Sequence, residues 1–473
     1  MNRFGTTTQL FLDDLMVADQ RGLTHTLQQP VKYAGNPLMY PLHPWEGRLE
    51  IYGQVMRDPN DPELLRMWYT GLGGMGVSPM GAANNTKWAH LDFDPAYLLY
   101  SYCYATSRDG IFWERPNLGL IDYEGSTDTN IVLINAAGGN VVYDPRDPDS
   151  DRRYKALFFE SRGRSGTSNA GDGFSVAFSP DGLSWTKYEG NPVGQKASDA
   201  HTLLGWDELN GQYVAYARPS LKYGNPVRRI GRAVSDDFIE WSDPEDVLLP
   251  DNDDPPGLQF YGMPVFRRHD HYIGLLYAYH APPEEPDIKF YGTIDVQLAT
   301  SRNGIDWQRA ADRQIFLPNG PPNSFDAGEI YMANTPLVVD DELWFYYSPS
   351  ATEHGPTGRS GPICLAKLRL DGFISVDAAD QEGYLVTQPF ECAGGDLLIN
   401  ATGRGGQISV VVMDEEGVRV EGFDRVHNAL FDGDSVKHKV TWKTARYDAL
   451  RGKQIRLKFY LKNASLYSYT QTG

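Results

Sequence analysis

A chain of 473 residues, 41% hydrophobic and 12% aromatic with 48 Gly and 31 Pro, has room for a large domain and a smaller one, and its composition is not that of a disordered chain. A formal net charge of −19 disfavours nucleic acid and anionic lipid as partners. No apolar run approaches the roughly 18 residues of a spanning helix, and Asp13 and Asp14 break the only N-terminal run that could serve as a signal peptide. The expected location is therefore the cytoplasm. Three scattered cysteines (Cys103, Cys364, Cys392) supply neither a disulfide framework nor a C-x-x-C metal pair.

In chain order, the first predicted strand is "QLFLDDLMV" (Gln9 to Val17), expected to close a ring with later strands. Helical periodicity is scarce beyond it. Short runs of Val, Ile, Leu, Phe, Tyr and Trp dominate instead, set off by Gly, Pro, Asn and Asp, which predicts an all-β chain. Such runs are "LRMWYTG" (Leu65 to Gly71), "RYKALFFES" (Arg153 to Ser161), "GQYVAYAR" (Gly211 to Arg218), "HYIGLLYAYH" (His271 to His280) and "ELWFYYS" (Glu342 to Ser348).

Between these runs one phrase recurs four times: "ATSRDGIFW", "AFSPDGLSW", "AVSDDFIEW" and "ATSRNGIDW", ending at Trp113, Trp185, Trp241 and Trp307. Its Ser and Asp can bond the backbone of a tight turn, its Gly or Asn can take a positive φ, and its Trp can pack between neighbouring units. It is read as a hairpin between outer strands and not as a site. About four strands fall in each period, as in a propeller blade. Five stretches open the periods and are predicted to line a central channel: "PWEGRLEIYGQVM", "NIVLINAAGGNVVYDP", "SDAHTLLGWD", "LQFYGMPVF" and "FDAGEIYMANTPLVV". The expected architecture is a five-bladed β-propeller over residues 1–375. Past "DGFISVDA" the pattern alternates without the Trp hairpin, which predicts a C-terminal β-sandwich over residues 376–473.

A propeller gathers the side chains of its first strands in an axial funnel. The openings carry Glu46, then Asp199 with His201, then Asp326 with Glu329. Carboxylates from distant parts of a chain repel one another when brought together, and their pKa values separate into an acid and a base. Cleavage of a glycosidic bond needs that pair. The candidate catalytic set is thus Glu46, Asp199, Glu329 and Asp326, with Glu329 as general acid, Asp199 as base or nucleophile and Glu46 as substrate ligand or pKa tuner. Asp199 and His201, two apart on a strand, share a face. Substrate-binding candidates are Trp45, His201, Arg218, Tyr261, His280, Asp295, Tyr331 and His354. No ligand motif demands a metal and no cofactor is required, though the channel near His201 has the chemistry for a structural metal ion.

The openings "PWEG", "SDAHTLLGWD", "YGMPVF", "YGTIDVQLATSRNG" and "FDAGEIYMANTPLVV", with the "LFLDD" start and "DGFISVDA" junction, resemble bacterial proteins described as glycosyl hydrolases of the five-bladed propeller superfamily. That superfamily includes the invertase-like family 32 and the arabinanase-like family 43. The resemblance covers nearly the whole chain and implies three acidic residues on early blades as nucleophile or base, transition-state stabiliser and general acid. By position, Glu46 stands for the first-blade carboxylate and Asp199 for a third-blade one. The invertase-type N-D-P-N-G is absent, and the only Glu-Cys, Glu391-Cys392, lies in the predicted sandwich.

The function expected from these features is a glycoside hydrolase acting on a furanoside or other small oligosaccharide. Its partner is a carbohydrate, and self-association into a homo-oligomer is left open. A phosphorylase would instead need basic groups in the funnel, for which Arg218, Arg228 and Arg229 stand ready. A non-catalytic carbohydrate-binding propeller would hold glycans uncut.

Overall fold

The computed structural model describes residues 6–72, 100–160, 173–194, 196–221, 227–282, 291–354 and 361–473. The chain is all-β; among the described residues the helices are short 3-10 turns. None is long and apolar enough to cross a membrane.

Five units repeat along the chain. The first pairs Arg48–Glu50 and Val55–Arg57 with Leu65–Leu72, followed by Tyr100–Ser107 and Ile131–Ile134. The second runs Ala137–Tyr143, Tyr154–Phe159, Ser175–Ser179, Thr186–Lys187, and the third Ala197–Asp207, Gln212–Pro219, Ile230–Ser235, Glu245–Leu248. Leu258–Phe260 and Val265–Arg268 open the fourth, which continues with His271–His280 and Thr293–Ser301. Glu329–Met332 and Leu337–Val339 open the fifth, which continues with Glu342–Ser350 and Cys364–Arg369. The stretch expected to open the second unit is in fact divided: Ile131–Ile134 ends the first unit and Ala137–Tyr143 begins the second.

The expected closing strand is corrected. The outer strand of the fifth unit is Val31–Lys32, paired with Cys364–Arg369. Gln9–Leu10 lies instead against Ala464–Gln471, and Val17–Arg21 against Gly383–Thr387. Backbone pairing, with Gln9 opposite Tyr469, outweighs the local pattern of "QLFLDD". The C-terminal strands make two sheets of six and five strands. One core runs between them through Leu397, Ile399, Val410, Leu457, Phe459 and Leu466, and joins the fourth and fifth units through Phe316, Phe345 and Phe373.

The recurring Trp phrase is a turn, and its chemistry is uniform. In the first copy Ser107 Oγ accepts from the Gly110 amide at 2.8 Å, and Asp109 accepts from the amides of Ile111 and Phe112. Trp113 Nε1 donates to the Gly110 carbonyl. Asn303 takes the Asp role in the fourth copy. In the third, Phe238 occupies the positive-φ position (φ 68°), its ring buried among Phe178, Tyr213 and Trp241.

Each turn docks on another unit. Gly182 of the second accepts from Trp68 of the first, Asp237 of the third from Arg152 of the second, and Gly304 of the fourth from Tyr216 of the third. Asp371, past the last strand of the fifth, accepts from Arg268 of the fourth. Gly110 of the first accepts from Tyr346 of the fifth at 2.9 Å. Gly110 has φ +74°, and a Cβ there would fall 2.6 Å from Tyr346 Oη and 2.9 Å from the Trp344 ring. Gly110→Ala is therefore expected to lower unfolding stability by about 1–3 kcal/mol in a denaturant titration. An unchanged midpoint would mean that this turn does not hold the first and fifth units together.

Candidate active site

The opening strands of all five units meet. The Asn334 amide donates to the Gly53 carbonyl at 3.2 Å, and Asn334 Nδ2 donates to Asn140 Oδ1 and to the Leu203 carbonyl. Thr202 Oγ1 donates to the Met263 carbonyl at 2.7 Å, and Tyr277 Oη donates to the Met332 carbonyl at 3.0 Å. Around this junction a set of polar and aromatic side chains faces inward.

Asp199 lies at its centre. Its side chain is 57% accessible, yet the surrounding groups act strongly on its carboxyl. Desolvation pushes the pKa up, but the Arg218 guanidinium, helped by a backbone hydrogen bond and by Arg228, more than offsets that and holds it below the usual aspartate range. Arg218 donates to Asp199, to Ser198 Oγ at 2.8 Å and to the Tyr261 carbonyl, and lies 4.6 Å over the Tyr261 ring. Arg228 stacks on Tyr279 at 4.8 Å and approaches Tyr261 at 5.8 Å. Burial, with Arg218 next to it, lowers the Arg228 pKa.

Glu329 is fully buried on the opening strand of the fifth unit and accepts from Tyr331 Oη at 3.2 Å. The Tyr331 ring sits 5.1 Å from Tyr52 and 5.7 Å from Tyr261, and His354 Nε2 contacts Tyr261 Oη at 3.1 Å. Asp199, Arg218, Tyr261, Tyr331, His354 and Glu329 are thus linked through one another.

Sequence reasoning missed four members. Glu50 pairs with Arg48, and its charge reaches Tyr52 and Tyr100, whose pKa values burial raises first of all. Asp199 acts on Tyr100 as well, so both the Glu50 and Asp199 carboxylates lie within electrostatic reach of that hydroxyl. The signal was present in "RLEIY": Leu49 and Ile51 are core, and Arg48, Glu50 and Tyr52 alternate with them onto the other face.

The remaining candidates have other engagements. Glu46, fully buried, accepts from the amides of Leu42 (2.9 Å) and His43, from Tyr69 Oη and from Arg115 Nε at 2.8 Å. Trp45 stacks on His43 and donates to Asn130 at 2.9 Å, presenting no open ring face. Asp326 accepts from Lys32 and Ser324, tying the fifth unit's outer strand in place. His280 and Asp295 pair with each other at 2.8 Å. His201 is buried under Asp199 beside Phe174, and burial lowers its pKa to about 4, so the ring is neutral.

The Arg-Asp-Pro tripeptide used by family 32 does occur here, twice, at residues 57–59 and 146–148. Asp58 pairs with Arg66 and Asp147 with Lys155, both in turns past the opening strands. Among the described residues no three His, Cys, Asp or Glu side chains gather as metal ligands.

No family model and no curated protein matches the chain. Similar solved structures include a β-1,2-mannobiose phosphorylase from Listeria innocua bound to β-1,2-mannobiose (15% identity, 72% of this chain and 97% of that one, TM-score 0.49). A glycosyl hydrolase from Bacteroides ovatus shows 14% identity over 73% of this chain and 94% of that one (TM-score 0.48). A chain described within the GH130 family of mannoside phosphorylases, as containing glycoside hydrolases, shows 12% identity over 72% and 94% (TM-score 0.47). Scores below 0.5 at such identities leave activity to be read from the chemistry of the site.

Proposed function

We propose that the five units form a five-bladed propeller and that the junction of their opening strands is the active site of a glycoside-cleaving enzyme, with the C-terminal sheets as a β-sandwich braced against it. Mutual docking of the turns, including the first on the fifth, supports the closed ring. One observation carries the activity: an aspartate held ionised by Arg218, in a tyrosine-walled space to which the first and fifth units each bring a further carboxyl group.

Asp199, kept ionised, is suited to take a proton from water as it attacks the anomeric carbon, or to attack that carbon itself. The exocyclic C–O bond then breaks, and its oxygen needs a proton. Glu50 is engaged by Arg48, and Glu329, fully buried on the opening strand of the fifth unit and in contact with the Tyr331 hydroxyl, is assigned as the proton donor. Tyr261, which is only partly buried, provides a face for the apolar side of a sugar ring, with Tyr331 and Tyr52 packed behind it.

A second reading has its own observation. Arg218 and Arg228 both lie over Tyr261, a pair of donors able to grip a phosphate whose oxygen would replace water as nucleophile and leave a sugar 1-phosphate. A panel of nitrophenyl glycosides and disaccharides, assayed with and without inorganic phosphate, tests both readings. Release of free sugar without phosphate supports hydrolysis, and strict phosphate dependence supports phosphorolysis. Absence of turnover on every substrate, with sugars still bound, would identify a lectin-like propeller.

A further inference from the structure

The fifth unit and the C-terminal sheets leave a groove of about 700 Å³ between them, remote in the fold from Asp199 because it follows the outer strand of the unit. Val31–Lys32 and the residues just after it form one wall, with Asp341, Glu342 and the end of Cys364–Arg369. Arg404 and the segment from Asp434 to Val436 form the other.

Three features give this groove a chemical character. It holds an aromatic platform: Tyr33 lies half-buried at its edge, its ring backed by Gly35, where a Cβ would meet the ring at 2.5 Å. The Lys367 ammonium sits 5.5 Å from that ring and 3.9 Å over the neighbouring Trp344. Its charges balance: Lys32 is neutralised by Asp326 outside the groove, and Lys367, Arg369 and Arg404 face Asp341, Glu342 and Asp434, so no net field selects an anion or a cation. Its donors and acceptors are also already prearranged in pairs, with Lys367 to Glu342 at 3.4 Å, Arg369 to Asp434 at 2.7 Å and Arg404 to Asp434 at 3.6 Å.

A polyhydroxylated neutral ligand suits that surface. Vicinal hydroxyls can donate to a carboxylate and accept from a guanidinium together, and the ring's C–H face can lie on a tyrosine. A phosphorylated or uronic ligand would face three carboxylates, and an apolar peptide would bury charges without replacing their hydrogen bonds. We propose that this groove is an accessory binding site for neutral oligosaccharides, distinct from the cleavage site. The proposal does not depend on catalysis at Asp199.

The test uses the full chain carrying Asp199→Asn, so that sugars are not cut. Maltotriose, cellotriose and β-1,4-mannotriose are titrated by calorimetry and by the fluorescence of tryptophan, since Trp344 adjoins the groove. Saturable binding by any of them, weakened about tenfold or more by Tyr33→Ala and by Arg404→Ala, is the expected result. Arg404 is 78% exposed, so its loss leaves the fold intact. Three results would overturn the proposal: no binding beyond that removed by blocking the axial site with Tyr261→Ala, binding indifferent to both groove variants, or tighter binding of trigalacturonate than of the neutral trisaccharides. Turnover by the unaltered chain is measured separately, so a failed groove and a failed active-site assignment give different results.

Discussion

Asp199→Asn is expected to lower kcat/KM for the best glycoside substrate by roughly 10²–10⁴-fold, the usual contribution of a positioned proton-transfer group. The variant should fold normally, because the side chain is accessible and Asn keeps its shape. Substrate affinity should change little, since the lost function is ionisation and not volume. The pH profile gives a second readout. A depressed pKa keeps Asp199 ionised through mildly acidic pH, and its contribution disappears only as pH falls below the ordinary aspartate range. Removing Arg218 as Arg218→Met takes away the largest charge that opposes desolvation, so the acidic limb of kcat/KM should move upward. A limb that stays in place, or an Asp199→Asn enzyme within about tenfold of the parent, would take the base role away from this residue.

Glu46→Ala is expected to have the largest effect on stability. Its carboxylate is sealed from solvent and accepts from two amides, Tyr69 and Arg115, and Arg115 is itself largely buried. Deleting one partner of a buried ion pair leaves the other charge uncompensated, at a cost of about 3–5 kcal/mol. Urea unfolding measures the loss, and kcat of the folded fraction should stay near the parent value. The opposite pattern, with stability within about 1 kcal/mol of the parent and catalysis abolished, would return Glu46 to the active site.

These two residues show which placements a sequence pattern reveals and which it hides. The position of Asp199 was accessible to reasoning because it stands on a strand with an obvious period, with Arg218 on the strand paired to it. Glu46 appeared to begin such a strand, but Pro44 starts a 3-10 turn, and the side chain folds back onto the Leu42 and His43 amides. The inward carboxylate of the first unit is four residues later, at Glu50, where the alternation of Leu49 and Ile51 marks the face. The turn with its Trp was fully legible, since every bond in it is made within about seven residues. The closing strand was not: Val31–Lys32 is too short to carry a period, and its anchor, Asp326, lies 294 residues away along the chain. Asp326 therefore read as a free acid when it is a tether. Pairing across the whole chain leaves no local trace.

That long-range pairing has a consequence for how the molecule is made. Gln9 and Leu10 are made long before their strand partners, Tyr469 and Ser468, which follow all five units, and Thr24–Leu27 likewise waits for Ile374–Ala378. Until then the leading segment carries unsatisfied strand edges, the kind of surface on which nascent chains stick to one another. The two C-terminal sheets therefore cannot be completed until Ala464–Gln471 has been made, and that one strand fixes both Gln9–Leu10 and Leu397–Thr402 in place.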